Sequence, residues 1–440
     1  MFGVEEYHPR FTNMNITLDC DFSSNPFSLI KKDEDIQLEI FEANILPMIK
    51  SAIRDDKKSM FASILDASHQ IFEKFYDLGE HLMRTEIFSV IISTIQTGSQ
   101  RKVLDITQLA EEICASIPSD YRDDFTTEII EKYYSSQDPK LRYLTTRLIP
   151  IVCDSQNIFP YISALANDDH PNIRAAAILS ISFINCQDSS LDKLLVDASE
   201  DTEICVQQSV ASIIGSVAPH LVNVYKKFLV NQNTVRDAFP SFPNVVKANN
   251  FGQLYDAFVE AMKIDKNDAA LALLETVKTA DIDSEEYLYI KAASELMTFS
   301  PFAWRIHSFS ERFQNKTDFL ELLDPSRISD WRTRFAILKQ CEEFVPELGS
   351  SLCRIAEIFS EDSTGYIRGE SVNLWIALLK QSKNIKATMV ERLTRGSWQK
   401  RMVLSKIIVS IGKSGFEDVV ELLKNDDIEI IRRFIQDNII

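Results

Sequence analysis

The chain has 440 residues, too many for one ordinary hydrophobic core, which stops growing near ~250–300 residues. Its 45% hydrophobic and 25% charged content excludes wholesale disorder, and its net charge of −18 argues against nucleic-acid partners, whose phosphates call for surplus Lys and Arg. Eleven glycines, against an ordinary usage of roughly 7%, leave little for primed hairpin turns or phosphate-cradling loops. Helices joined by Asp, Asn and Ser turns need far less glycine. The acidity fits either the solubility of an elongated molecule or a basic partner surface, and charge alone does not choose.

Residues 1–25 are polar and weakly patterned and read as a loosely ordered lead-in. The opening MFGVEEYHPR lacks the basic-then-apolar pattern of a signal peptide, and no apolar run nears the ~20 residues of a membrane helix. From residue 26 to 440 the chain reads as one continuous helical array, with N-terminal repeats over 26–236, degenerate repeats over 237–300 and C-terminal repeats over 301–440. In 61–76, Phe61, Ile64, Leu65, Ile71, Phe72 and Phe75 fall on one helical face, and no stretch sustains strand-like alternation.

A short cassette recurs: an acidic or polar turn, an apolar residue followed by Arg, then an amphipathic helix. It occurs at Asp138…Leu141-Arg142, Asp169…Ile173-Arg174, Asp201…Ile204-Cys205 and Val235-Arg236. It resumes at Trp304-Arg305, Asp330…Thr333-Arg334, Asp362…Ile367-Arg368, Lys400-Arg401 and Asp427…Ile431-Arg432. Within each block the steps are 29–34 residues, and the gap between blocks holds two steps, one of them degenerate near 267–279. A turn Asp is suited to cap the helix that follows. An Arg near a helix N-terminus gains nothing from the helix dipole, so pairing with an Asp of its own or the adjacent repeat is expected. Arg142, Arg174, Arg236, Arg334, Arg368, Arg401 and Arg432 are therefore read as a structural ladder, with Cys205 replacing one rung. One hairpin cannot bury its apolar face alone, so neighbours stack. The expected fold is an all-α solenoid, a superhelix of about 11–13 HEAT-like helical-hairpin repeats.

Within that class the C-terminal third resembles the scaffold (A) subunit of protein phosphatase 2A. Asp330-Trp331-Arg332-Thr333-Arg334-Phe335-Ala336-Ile337 is similar to the W-R-x-R-x-A-I helix opening of that scaffold. The similarity continues through Ser351-Leu352-Cys353, Tyr366-Ile367-Arg368 and Trp398-Gln399-Lys400-Arg401-Met402, with Glu34-Asp35-Ile36-Gln37-Leu38 similar to its opening repeat. The chain is shorter than that family, with repeats missing from the middle. The resemblance implies a non-catalytic scaffold whose partners are a serine/threonine phosphatase catalytic subunit and a regulatory (B-type) subunit. The catalytic subunit would meet the C-terminal intra-repeat turns at Trp331, Arg332, Tyr366, Ser397 and Trp398. The regulatory subunit would meet N-terminal turns near Asp33, Glu34 and Asp35, or Asp168, Asp169 and His170. The rival reading is another HEAT/armadillo-type adaptor, such as a transport receptor or vesicle-coat adaptor.

Catalysis finds no footing in the sequence. The six histidines form no H-E-x-x-H, the seven cysteines no C-x-x-C, and no phosphate-loop or nucleophile-elbow motif occurs. No enzyme activity, cofactor or metal is expected. The odd, scattered cysteines fit buried thiols of a reducing compartment, so a cytoplasmic or nucleocytoplasmic protein with no membrane or nucleic-acid partner is expected.

Overall fold

A computed structural model describes residues 41–62, 64–65, 68, 79, 81–152, 155–184, 189–281, 284–306, 320–382 and 384–439, and every regular element among them is a helix. The lead-in over 1–25, the 61–76 stretch beyond a few positions, and Asp33, Glu34 and Asp35 lie outside the described residues. The chain divides into two units, 1–186 and 187–440.

In the first unit the helices are α1 (Leu46–Arg54), α2 (Ser89–Thr97), α3 (Gln100–Ser116), α4 (Ser119–Tyr133), α5 (Pro139–Leu148), α6 (Ser155–Leu165) and α7 (Pro171–Ser180). Three hairpins, α2–α3, α4–α5 and α6–α7, stack so that α3, α5 and α7 form one layer and α4 and α6 part of the other. Pro139 and Pro171 open α5 and α7 at a position where the missing N–H costs nothing.

The second unit contains α8 (Ser189–Ser199), α9 (Ile204–Val217), α10 (Val222–Leu229), α11 (Val235–Ala238), α12 (Phe242–Ala248), α13 (Phe251–Ile264), α14 (Lys266–Thr279), α15 (Glu286–Leu296) and α16 (Ser300–Ala303). It continues with α17 (Trp331–Glu343), α18 (Val345–Leu348), α19 (Cys353–Ser360), α20 (Gly365–Gln381), α21 (Ile385–Thr394), α22 (Trp398–Ile411), α23 (Glu417–Lys424) and α24 (Glu429–Asn438). The following helices α14, α16, α17, α20, α22 and α24 pack in sequence as one layer, and leading helices such as α19, α21 and α23 each lie against the next following helix. This is an α-solenoid.

The turns explain the glycine shortage. At six of them an Asp or Asn carboxyl or amide oxygen accepts the N–H two residues on: Asp138 from Lys140, Asp168 from His170, Asp201 from Glu203, Asn231 from Asn233, Asp362 from Thr364 and Asp426 from Ile428. Only three described glycines, Gly349, Gly412 and Gly415, take a positive φ. Asp138 and Asp330 do cap α5 and α17. The capping expected of the turn residues Asp169 and Asp427 is corrected: α7 begins after His170 and α24 after Ile428, and neither helix has a side-chain cap.

The stretch 237–300, where the cassette fades, is occupied by stacked helices on an aromatic core. Phe242 stacks on Phe258 at 4.7 Å between centroids, and Phe251 meets Tyr289 at 4.4 Å. Rings linking α10 to α15 supply the apolar contact between hairpins, so a charged rung is less needed there.

Candidate protein-binding ridge

The ladder sets where each following helix begins. Arg334 Nη1 donates back to the carbonyls of Ile328 (3.0 Å) and Ser329 (2.6 Å), while Nε and Nη2 donate forward to Asp362 at 2.6 and 3.1 Å. Arg401 holds Asp426 in the same way at 2.6 and 3.1 Å, and Arg142 holds Asp168 with both nitrogens. These are bidentate pairs between adjacent repeats, almost shut off from water: the Arg334 and Asp362 side chains are 11% and 5% exposed. Burial pushes the Asp168 and Asp426 carboxyls up, but the facing Arg142 or Arg401 and a turn N–H outweigh it and hold both below the usual range.

Three ladder assignments change. The residue six positions after Asp201 is Gln207, and its amide donates to the Asp201 carbonyl as each ladder Arg does in its own turn, so Gln207 and not Cys205 replaces the rung. Arg236 sits out of register: its side chain is 71% exposed and makes one contact, to Asp265 at 2.9 Å. Arg368 donates back to Asp362 and Ser363, but the turn ahead reads Arg395-Gly396-Ser397 and offers no carboxylate, so its guanidinium lies over the Trp398 ring at 5.9 Å. Arg174 and Arg432 make the backward bonds to the carbonyls of Asp168 and Asp426.

Ahead of the ladder Arg, the first turn of the following helix stands clear of the packed layers. In four successive repeats a large side chain two or three positions before that Arg is exposed: Trp331 (42%), Tyr366 (57%), Trp398 (41%) and Ile430 (59%). Arg332 is exposed beside them, with its guanidinium over Trp331 at 5.4 Å. Phe335 ties the row together, meeting Trp304 at 5.9 Å and Tyr366 at 5.1 Å. The matching positions in the first unit are Pro139-Lys140 and Pro171-Asn172, and at the start of α9 Ile204-Cys205, none of them aromatic.

Trp331, Arg332, Tyr366 and Trp398 thus come together on one ridge. Ser397 does not join them; it is half-buried at the start of α22, against Glu361. Asp168 is enclosed by Arg142, whereas Asp169 and His170 of the same turn are exposed. Trp304, Phe335 and Ile430 were not expected on the ridge. Ile430 was recoverable from register, since it precedes Arg432 by the two positions that separate Tyr366 from Arg368. Phe335 was not, because its ring contacts join repeats about thirty residues apart.

Two of the described cysteines are sealed in the core. Burial pushes the Cys114 thiol up to about 12 and the Cys341 thiol higher still, leaving no thiolate at neutral pH. Among the described residues, no three His, Cys, Asp or Glu side chains converge to hold a metal, and no helix is long and apolar enough to cross a membrane.

No protein-family model matches the sequence, and no curated protein matches it. Similar solved chains come from the Kap95:Nup1 complex (11% identity, TM-score 0.45, 93% of this chain and 64% of that one) and from a structure of Kap95p with RanGDP (10%, 0.44, 93% and 70%). A chain from a homology model of the AP-3 complex is 13% identical, with a TM-score of 0.33, over 87% of this chain and 80% of that one. The helices themselves stack as hairpins in each unit, an α-solenoid fold. The chain spans 47% of a Kap121p chain and 64–70% of the two Kap95p-complex chains.

Proposed function

We propose that this solenoid is a non-catalytic adaptor that binds other proteins along the ridge formed by Trp331, Arg332, Tyr366, Trp398 and Ile430. The observation that carries the reading is the recurrence of one large exposed side chain in the first turn of the following helix, two or three positions before the ladder Arg, in four successive repeats. Packing would bury such residues; partly exposed Trp, Tyr and Arg are the types that dominate protein interfaces. A stack of repeats holds them in a row with little cost of ordering on binding.

The finer reading, a scaffold for a serine/threonine phosphatase, rests on the Trp331-Arg332 opening, whose side chains are exposed while Arg334 of the same motif serves the ladder. The alternative is a transport receptor or coat adaptor. One experiment tests the general reading and separates the finer ones: affinity capture with the wild-type chain and with Trp331→Ala/Tyr366→Ala, followed by mass spectrometry. Loss of specific partners in the variant, with unchanged far-UV circular dichroism, is the expected result. A phosphatase catalytic subunit among the lost partners supports the scaffold; a small GTPase or coat subunit supports the alternative. Identical capture by both chains would remove the ridge from binding.

A further inference from the structure

We propose that the ridge takes an extended acidic segment of a partner protein, and that one of its carboxylates docks in the fork of Arg368 between Tyr366 and Trp398. This rests on the reading of the ridge as a docking surface. It follows from comparing Arg368 with the closed rungs. In Arg142, Arg334 and Arg401, Nη1 is anchored on carbonyls of the helix's own turn, and Nε with Nη2 grips an Asp of the next repeat. Arg368 is anchored the same way, through Asp362 and Ser363. Its Nε and Nη2 have no hydrogen-bond acceptor among the described residues, because position 395, where the register calls for Asp, is Arg395. A guanidinium can rest its face on an aromatic ring and still present an edge to a carboxylate, and Arg368 lies over Trp398 in that manner. The fork is pre-organised for the ligand that its sister arginines already hold.

The surrounding charge selects the same partner. Although the chain carries −18, most carboxylates around the ridge are engaged: Asp362 and Asp426 by the ladder, Glu370 by Lys339 at 2.7 Å, Glu357 and Glu361 by Lys400 at 2.9 and 3.0 Å, and Glu429 by Arg433, while Asp330 accepts the N–H groups of Arg332 and Thr333. Arg305 and Arg332 are exposed, and among the described residues neither pairs with a carboxylate. The surface is thus locally cationic, with apolar rings between the cations. Following helices packed about 10 Å apart match about one turn, three residues, of a chain extended in the polyproline-II conformation, whose every third side chain returns to the same face. The segment that fits has Asp or Glu about every third residue, with apolar side chains between.

The test uses the full chain and a fluorescein-labelled synthetic peptide of about twelve residues, with Glu at every third position among Leu, Phe and Ser. A second peptide with Lys for Glu is the control. Anisotropy is expected to show saturable binding of the acidic peptide and none of the basic one. Arg368→Gln should weaken binding by about tenfold or more. Arg395→Asp supplies the missing rung from within: binding should fall by a similar factor while Tm rises, which separates a filled fork from a damaged fold. Equal binding of both peptides, or Arg395→Asp binding as wild type, would overturn the proposal. If the acidic peptide fails to bind while Trp331→Ala/Tyr366→Ala still loses its captured partners, the ridge stands and the carboxylate proposal falls.

Discussion

A buried ion pair is defined by what its loss leaves behind. Arg334 and Asp362 are 11% and 5% exposed, and removing the Arg strands a desolvated carboxylate together with the carbonyls of Ile328 and Ser329. Breaking one side of such a pair costs about 3–5 kcal/mol. Arg236, 71% exposed with a single contact to Asp265, belongs to the class of surface pairs worth roughly 0–1 kcal/mol. Arg334→Ala should therefore lower the urea midpoint of the transition that includes α17 and α20, and Arg236→Ala should leave it within error. Equal effects would show that burial does not govern the ladder. These two arginines also mark what a sequence can reveal. Spacing alone points to both, since each stands at the repeat step. It could not tell a bidentate rung from a solvated side chain, because both face a carboxylate, Asp362 or Asp265, and only packing encloses the first pair and leaves the Arg236 guanidinium in solvent. The Gln207 rung was invisible for the complementary reason: it keeps the backward bond to a carbonyl and has no charge to announce it.

Between elements, the middle of the chain is held by shape instead of charge. Near the end of α9, the Gly215 N–H donates to the Ser241 hydroxyl at 3.2 Å, and that hydroxyl donates to the Ser212 carbonyl at 2.9 Å. A Cβ on Gly215 would stand 2.6 Å from the Ser241 carbonyl oxygen and 2.7 Å from its Cα, so the backbone itself would have to move. Gly215→Ala improves helix propensity by about 1 kcal/mol, but overpacking a tight contact costs about 1–3 kcal/mol or more. A net loss of stability, read as a lower Tm with intact helicity, is expected; a higher Tm would mean that α9 and the turn before α12 separate freely. A second close contact lies at α13, whose first N–H groups, Phe251 and Gly252, donate to the Glu285 carboxylate at 2.7 and 3.0 Å. Local capping rules do not see a cap that arrives from the next hairpin, more than thirty residues on. Helical period was legible in this region, because it is a property of neighbours in sequence. The contacts that replace the ladder were not, because they join residues that only the stack brings together.

At the scale of the whole chain, the net charge and the ridge respond to salt in opposite directions. A charge of −18 repels itself across a large surface, and that repulsion acts over a Debye length of about 30 Å at 0.01 M and about 8 Å at 0.15 M. The ladder pairs are too enclosed for salt to weaken them comparably, while exposed pairs such as Lys227 with Glu200 hold little stability to lose. Raising the salt should therefore raise the Tm. Binding of an acidic segment to Arg332 and Arg368 is an attraction between charges that meet at the surface, and the same salt should weaken it. Measured on one preparation between about 0.01 and 0.5 M, Tm and peptide affinity are expected to diverge. If both fall together, the exposed pairs and not the enclosed ladder hold the stack. If both rise, binding is driven by the aromatic rings alone, and the arginines among them serve only to position those rings.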